Sequence, residues 1–286
     1  MKNTLALLSL CLLWLVNLSQ DTSTPFVFKV KSADTLDLMV ATAESPTLDR
    51  MMFRGGGSWW PVVDEETTLS DNQTVYPSID LSGQGLRTIP FDYCVESWVG
   101  KYDLSNNDIR KLTKRFGKVS TDSLDLSGNQ IATLKPGCLY FRLVYLNLSR
   151  NNITKLPFGI DFGYRLEHLD LSHNQLEYLP NSIYAQQLHT LNLERNVLDR
   201  LPSKLRSAAF LEELNLSGNE FKVVPSIIPY FDNLVDLDLS NNQITRLPSK
   251  LKRMYQLRTL DLRGNPLQPE AVERFRILMP QCTILF

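Results

Sequence analysis

The sequence of 286 residues contains few of the groups on which enzyme active sites depend. It has only three histidines, His168, His173 and His189, and four cysteines, and it lacks GxSxG, HExxH, CxxC and Walker A motifs. These absences argue against an acyl-transfer site, a zinc protease, a dithiol redox centre and a phosphate loop. The sequence therefore predicts no catalytic residue, no metal ligand and no cofactor, with zinc binding by His168 and His173 as a minor alternative.

A strong charge of one sign is also lacking. Thirty Lys and Arg residues face 31 Asp and Glu residues, which gives a formal net charge of −1. Such a balance gives the whole chain no general attraction to nucleic acid or to a membrane surface. We therefore expect a monomer with a protein or peptide partner, and no nucleic-acid partner.

Long apolar runs are scarce. Residues 5–16 are apolar except for Ser9, and Lys2 precedes them. Twelve residues are too few to span a bilayer, but a basic residue before such a run is typical of a signal peptide. We interpret residues 1–20 as a signal peptide, which predicts a secreted or cell-envelope protein without a transmembrane segment in the mature chain. The alternatives to a signal peptide are a buried N-terminal helix or a wrongly started reading frame, and the alternative location is the cytoplasm.

The chain is rich instead in one repeated motif. The segment LVYLNLSRNNITKLP at 143–157 recurs as LEHLDLSHNQLEYLP at 166–180 and as LVDLDLSNNQITRLP at 234–248. Nine copies align at steps of 22 or 23 residues on a single amide position: Gln84, Asn107, Asn129, Asn151, Asn174, Asn196, Asn219, Asn242 and Asn265. A fixed period in this range, headed by L-x-x-L-x-L-x-x-N, is the sequence signature of a leucine-rich repeat solenoid.

The motif also predicts how each coil is built. In the L-x-L core, Leu146 and Leu148 should point inward and Asn147 outward, so that stacked coils form one parallel sheet over a leucine core. The asparagine amides can both donate and accept, and should satisfy the buried backbone groups of successive turns. The Leu-Pro pairs that follow favour short 3₁₀ or helical turns on the opposite side.

This LP-bearing repeat resembles those of Ras-suppressor-type, Scribble-type and plant intracellular Ras-group proteins, and of small bacterial repeat proteins. The resemblance covers residues 76–267 and implies an α/β right-handed horseshoe of about nine repeats with its parallel sheet on the concave face. The ending NPLQPEAVERFRILMPQCTILF resembles the closing segment of many small repeat proteins. For residues 268–286 it implies a cap helix at 271–278 and an apolar lid of Cys282, Ile284 and Phe286.

Residues 21–75 carry no repeat and should flank or cap the first coil. Residues 26–31 and 36–42 alternate well enough to predict a β-hairpin. Farther on, Trp59 and Trp60 could cover the first coil, and they could also contact a partner or lie in a disordered stretch. The segment is therefore predicted to be partly β-structure or disordered.

The remaining cysteines are not placed to form a disulfide. Cys94 and Cys138 occupy nearly equivalent positions two coils apart, about 10 Å by the spacing of strands, which exceeds disulfide reach. We interpret these two and Cys282 as buried apolar fillers.

The outward residue within each L-x-L core is acidic or an amide in every copy. The column comprises Asp80, Asp103, Asp125, Asn147, Asp170, Asn192, Asn215, Asp238 and Asp261. It could form a ladder of cation ligands, but L-D-L-S is a common form of this repeat. We favour a structural role in which the following serine binds the carboxylate.

Candidate partner-binding residues are those that depart from the small polar consensus of the concave face. They cluster in the middle coils: Tyr145, Arg150, His168, His173, Glu194, Arg195, Glu213 and Asp236. Tyrosine and arginine are enriched at the energetic centres of interfaces. The sequence thus predicts a non-catalytic, exported module that binds a protein or peptide on its concave face. An intracellular scaffold of the Ras-suppressor kind is the alternative.

Overall fold

The computed structural model describes residues 25–32, 35–40, 52–53, 67–68, 74–89, 98–112, 120–136, 143–158, 164–181, 183 and 186–286. The predictions for the signal peptide, for Trp59 and Trp60, and for Cys94 and Cys138 concern residues outside this set. Within it, no helix is long and apolar enough to cross a membrane.

A small antiparallel sheet lies at the N-terminal end of the described chain. Strands β1 (Pro25–Ser32), β2 (Thr35–Val40) and β3 (Met52–Phe53) pair in the order β2-β1-β3. The pairing of β1 with β2 confirms the hairpin predicted for residues 26–31 and 36–42.

The main sheet has eleven strands, and every neighbour along it follows in chain order. The antiparallel pair of β4 with β5 opens it, and β5 to β14 are all parallel. The strands are β4 (Thr67–Thr68), β5 (Thr74–Asp80), β6 (Trp98–Asp103), β7 (Ser120–Asp125), β8 (Tyr145–Asn147), β9 (His168–Asp170), β10 (Thr190–Asn192), β11 (Glu213–Asn215), β12 (Asp236–Asp238), β13 (Thr259–Asp261) and β14 (Thr283–Leu285). Strands β5 to β13 are the strands of the nine predicted coils, which are numbered one to nine in chain order.

The leucines of successive coils stack because the strand register equals the repeat. Leu146 pairs with Leu169, which pairs with Leu191, and all three are buried. Since each coil rests only on its neighbours, this continuous apolar column carries the stability of the solenoid. The predicted inward and outward alternation is confirmed at coil four, where Leu146 and Leu148 are fully buried on either side of the half-buried Asn147.

The asparagine column forms the predicted ladder of hydrogen bonds. Asn174, in coil five, donates from Nδ2 to the carbonyl oxygens of Leu148, Leu171 and Ser172 at 3.0–3.1 Å. Its Oδ1 accepts from the N–H of Ile153 in coil four at 3.0 Å. One buried amide thus satisfies turn groups of its own coil and of the preceding one, as predicted from backbone accounting.

The first position of the ladder differs from the others. The N–H groups of Gln84 and Leu86 both bond to Oδ1 of Asn107 at 2.9 Å. The Gln84 amide itself donates to its own turn, to the carbonyl of Ser82, and its buried Oε1 has no hydrogen-bond partner among the described residues. The ladder therefore stabilises the turn of coil one through Asn107, but Gln84 does not continue the ladder with its own side chain.

On the convex side of coils six to eight, the Leu-Pro and Val-Pro pairs are followed by short turns. All three of these turns contain a 3₁₀ helix, at Ser203–Ser207, Ile228–Tyr230 and Ser249–Arg253. Pro202 and Pro248 directly precede the first and third in extended conformation, which fits a residue that fixes φ and has no N–H to donate. The predicted short convex turns are confirmed.

The C-terminal segment closes the solenoid with a helix and one further strand. Helix α1 (Pro269–Leu278) begins two residues before the predicted start, because Pro269 is well suited to a first helical turn. The tail after it is strand β14, a tenth parallel strand that pairs with β13.

The predicted lid needs one correction. Cys282 and Ile284 are buried, but Phe286 is exposed. Strand β14 ends at Leu285, so Phe286 lies beyond the strand and does not cover the core. Burial raises the pKa of the Cys282 thiol to about 11, with a smaller contribution from Asp236. The thiol is thus neutral at physiological pH, in agreement with its prediction as an apolar filler.

Candidate partner-binding site

The predicted site residues lie in columns of equivalent positions that run across successive coils. Two columns consist of outward-facing strand residues, and a third lies at the turn after each strand. In the first outward column the register pairs Ser123 with Tyr145, Tyr145 with His168, His168 with Thr190, and Thr190 with Glu213. Asp236 continues the same column beyond Glu213. The side chains at the centre of this column are therefore neighbours across the sheet.

Tyr145, His168 and Thr190 form a connected row over coils four to six. The rings of Tyr145 and His168 lie 6.3 Å apart and are tilted by 45°. Nδ1 of His168 is 2.8 Å from the Thr190 hydroxyl. These contacts restrict the rotamers of both rings, so the row offers a preorganised aromatic and polar surface. Thr190 is not among the residues that the sequence predicts for the site.

The Tyr145 phenol is kept in its neutral, hydrogen-bond-donating form. Burial raises the pKa of Tyr145, and the carboxylates of Asp125 and Asp170 raise it further. A tyrosine that is half-buried and still carries its proton can both pack against a partner and donate a hydrogen bond to it.

The second outward column is the acidic and amide column. In all nine coils its Oδ1 accepts a hydrogen bond from the backbone N–H two residues ahead, as Asp170 does from Ser172 at 2.8 Å. The predicted bond from the following serine to the carboxylate is therefore confirmed, and its donor is the main-chain N–H. Ser217 adds its hydroxyl, 2.7 Å from Oδ1 of Asn215.

Neighbouring amides also bond to the outer carboxylate oxygens of two of the six aspartates in this column. Asn147 donates to Oδ2 of Asp125 at 3.2 Å, and Asn192 donates to Oδ2 of Asp170 at 3.1 Å. In the part of the chain that the structure describes, no group of three or more His, Cys, Asp or Glu side chains could hold a metal ion. The geometry of this column is that of a structural turn.

The turn column follows each strand and has a left-handed backbone. Arg150, His173 and Arg195 occupy it in coils four, five and six, with φ of 54°, 52° and 51°. The other six coils place glycine or asparagine there, the residues that adopt this conformation most readily: Gly83, Asn106, Gly128, Gly218, Asn241 and Gly264. Three consecutive coils therefore carry basic side chains at a strained position.

Glu194 links two of these side chains. Its Oε1 lies 3.8 Å from Nε2 of His173 and 3.5 Å from Nε of Arg195. The Arg195 side chain also packs against the turn of coil seven. Its Cγ is so close to Gly218 that a Cβ added to this glycine would lie only 3.0 Å away. Glu194 replaces a serine that seven of the other coils have, so the departures from consensus in coil six are coupled to each other.

The structure thus gathers six of the eight predicted residues into one patch. We call it the central band: Tyr145, Arg150, His168, His173, Glu194 and Arg195. Glu213 is exposed and Asp236 half-buried farther along the sheet. The third histidine, His189, is half-buried and stacks on Phe210 with ring centroids 5.9 Å apart.

Comparison with known proteins identifies the repeats. The sequence model described as "Leucine rich repeat" matches residues 120–176 and 209–267. The two matched segments are leucine-rich repeats, and the solenoid that contains them has the leucine-rich repeat fold. A leucine-rich repeat protein of Leptospira interrogans has a similar solved structure, with a TM-score of 0.57 and 28% identity over 73% of this chain and 60% of that one. No curated protein matches the sequence.

Two further leucine-rich repeat structures share the fold at lower identity. The plant peptide hormone receptor RGFR1, solved in complex with RGF2, gives a TM-score of 0.57 and 21% identity over 74% of this chain and 39% of that one. The leucine-rich repeat domain of FLRT2, solved in an octameric complex with latrophilin 3 and Unc5D, gives 0.55 and 19% over 73% and 75%. This chain spans less than two thirds of the Leptospira protein and of the receptor.

Proposed function

We propose that this protein is a non-catalytic module that binds a protein or peptide through the central band of its concave face. The observation that carries the proposal is the run of basic residues at left-handed positions in coils four to six. A residue other than glycine in this conformation costs about 1–2 kcal/mol, and such strain is concentrated at functional sites.

The composition of the band supports a binding role. It combines arginine, tyrosine and histidine side chains on rigid strands and tight turns, which reduces the entropy lost when a partner binds. Solved relatives with the same fold occur in a complex of a receptor with RGF2 and in a complex with latrophilin 3 and Unc5D. They support recognition of a polypeptide by this solenoid, without naming its partner.

We further propose that the chain is exported, on the basis of the apolar run at residues 5–16 after Lys2. The alternative, an intracellular scaffold, is favoured by the LP-type repeats and by the free thiol of Cys282. A mature N-terminus near residues 20–25 in an exported fraction would distinguish the two.

Loss of the central band should abolish peptide binding without unfolding the protein. The variant changes Tyr145, Arg150 and Arg195 to serine and His173 to alanine. Peptides are first selected on the unmodified protein from a random displayed library. Their affinity for the fourfold variant should fall by more than about a hundredfold, since each truncated hot-spot residue typically costs 1–2 kcal/mol or more.

The control is a variant with Lys101→Ser and Ser123→Ala, two changes on the same face outside the band. It should bind the selected peptides within about threefold of the unmodified protein, as peripheral contacts usually contribute little. The site is misplaced if the peptides bind the fourfold variant normally but lose affinity for a variant with Lys250, Lys252 and Arg253 changed to glutamine on the convex side.

A further inference from the structure

The convex turns of coils six to eight carry a concentrated positive charge. Residues 203–210, 226–233 and 249–256 contain five basic side chains and a single acidic one, Asp232. We call the five basic residues the basic crest: Lys204, Arg206, Lys250, Lys252 and Arg253. All five are exposed, and none forms an ion pair with a carboxylate among the described residues.

The crest is organised around one aromatic ring. The guanidinium carbon of Arg206 lies 3.9 Å from the centroid of the Tyr230 ring, and the Lys250 ammonium lies 5.9 Å from it. Both distances fall within the range of a cation–π interaction. Tyr230, in coil seven, therefore holds cations of coils six and eight close together, although their mutual repulsion would favour separation.

The charge of the crest contrasts with that of the segments before and after it along the stack. The corresponding residues of coil five, 181–187, contain no charged side chain, and helix α1 beyond coil nine contains two basic and two acidic ones. The concave face carries six carboxylates in its second outward column and three more at Glu194, Glu213 and Asp236, and these outnumber its cations at Lys101, Arg150, Arg195 and Arg263. A chain with a net charge of −1 thus has an acidic inner face and a basic outer crest.

Exposed aromatic side chains lie beside these cations. Tyr255 follows Arg253 by two residues and is 74% exposed, Tyr230 is 44% exposed, and Phe210 is 46% exposed at the end of the first turn. Tyrosine next to lysine and arginine is typical of surfaces that lie at the boundary of a lipid bilayer, where the ring enters the headgroup layer.

We propose that the basic crest docks the protein on an anionic lipid surface, with Tyr255 at the headgroup level. A bilayer is broad and deformable, so it can adapt its shape to a convex surface. A rigid protein partner would need a concave surface of complementary shape. Three of the five cations are lysines, which act as hydrated point charges and suit diffuse attraction better than paired recognition of single carboxylates. Docking through the convex side would leave the central band open to a partner.

Vesicle sedimentation tests this proposal directly on the full folded chain. We expect binding to vesicles of phosphatidylcholine with phosphatidylserine, and no binding to phosphatidylcholine alone. Each crest residue changed to glutamine should weaken the affinity about fivefold, which corresponds to about 1 kcal/mol per charge at an anionic surface. The variant with all five changed should lose more than a hundredfold, and high salt should abolish binding by the unmodified protein.

A matched control separates the crest from general charge. Arg87, Arg110, Lys111, Lys135 and Lys155 are also three lysines and two arginines, all exposed in coils one to four. Changing them to glutamine gives the same net charge and should leave vesicle binding within about threefold. Circular dichroism verifies that both fivefold variants are folded.

Two outcomes would overturn the proposal. One is equal loss of vesicle binding by both fivefold variants, since net charge alone would then govern attachment. The other is binding to soluble polyglutamate or dextran sulfate through the crest without binding to anionic vesicles, which would assign the crest to an acidic polymer. A Tyr255→Ser variant with affinity for vesicles lowered a few-fold at unchanged charge would support insertion of the ring.

Discussion

Replacement of Leu169 by aspartate should destabilise the protein severely. Leu169 is 2% exposed and pairs with Leu146 and Leu191 in the middle of the leucine column. The substitution removes a buried leucine side chain and places a carboxylate in its space without a partner. We expect the free energy of unfolding to fall by more than about 4 kcal/mol, measured by denaturant titration.

The matched control is Gln175→Asp in the same coil, whose side chain is exposed. It introduces the same acidic group but should change the free energy of unfolding by less than about 0.5 kcal/mol. An unchanged unfolding midpoint for Leu169→Asp would contradict the assignment of this column to the core.

The second large effect should come from the asparagine ladder. Asn174→Ala removes the donor to three carbonyl oxygens and the acceptor for the N–H of Ile153, all at a buried turn. A buried backbone group left without a partner costs about 1–3 kcal/mol, and alanine leaves more than one. We expect a loss of about 3–5 kcal/mol in denaturant unfolding.

Asn152→Ala is the natural comparison, because Asn152 is exposed in the adjacent coil and should tolerate the change. Asn174→Asp adds a further test. It keeps the acceptor but loses the amide donors and buries a charge, so it should be at least as destabilising as alanine. Stability of Asn174→Ala equal to that of Asn152→Ala would mean that the ladder is not a principal support of the turns.

Much of this fold can be predicted from the sequence because the same constraints recur in nine coils. The period places the strands, the L-x-L alternation places the core, and the asparagine at a fixed position identifies the ladder. A pattern repeated nine times averages out local exceptions such as Gln84. The structure adds the three-dimensional reason, which is that one amide serves two coils at once.

The left-handed turn column is not among the sequence predictions, although its signal is present in the sequence. Glycine or asparagine precedes the ladder position in six coils, as at Gly128 and Asn241, and this composition is typical of a positive φ. Side-chain size alone selects Arg150, His173 and Arg195 as candidates. Their shared strain, which strengthens the case for a site, follows only from comparing the same column across all coils.

Contacts that depend on side-chain geometry could not be predicted. Thr190 is a small polar residue of the kind that the repeat commonly has at this position. Its hydroxyl nevertheless forms a hydrogen bond with His168, because the strand register places the two residues side by side. For the tail at 283–285 the sequence predicts only a lid, because three residues are too few for a recognisable alternation. The tail forms β14 because β13 would otherwise leave its backbone groups unpaired at the end of the stack.

The location of a bound peptide is the most direct test of the concave site. A photoreactive benzophenone amino acid is placed at Ser123, which pairs with Tyr145 beside the central band, and in a second protein at Tyr255 on the convex side. After irradiation with a peptide selected on the unmodified protein, mass spectrometry identifies the adduct. We expect an adduct from position 123 and none from position 255. An adduct from position 255 alone would show that the peptide binds the convex face and would contradict the proposed function.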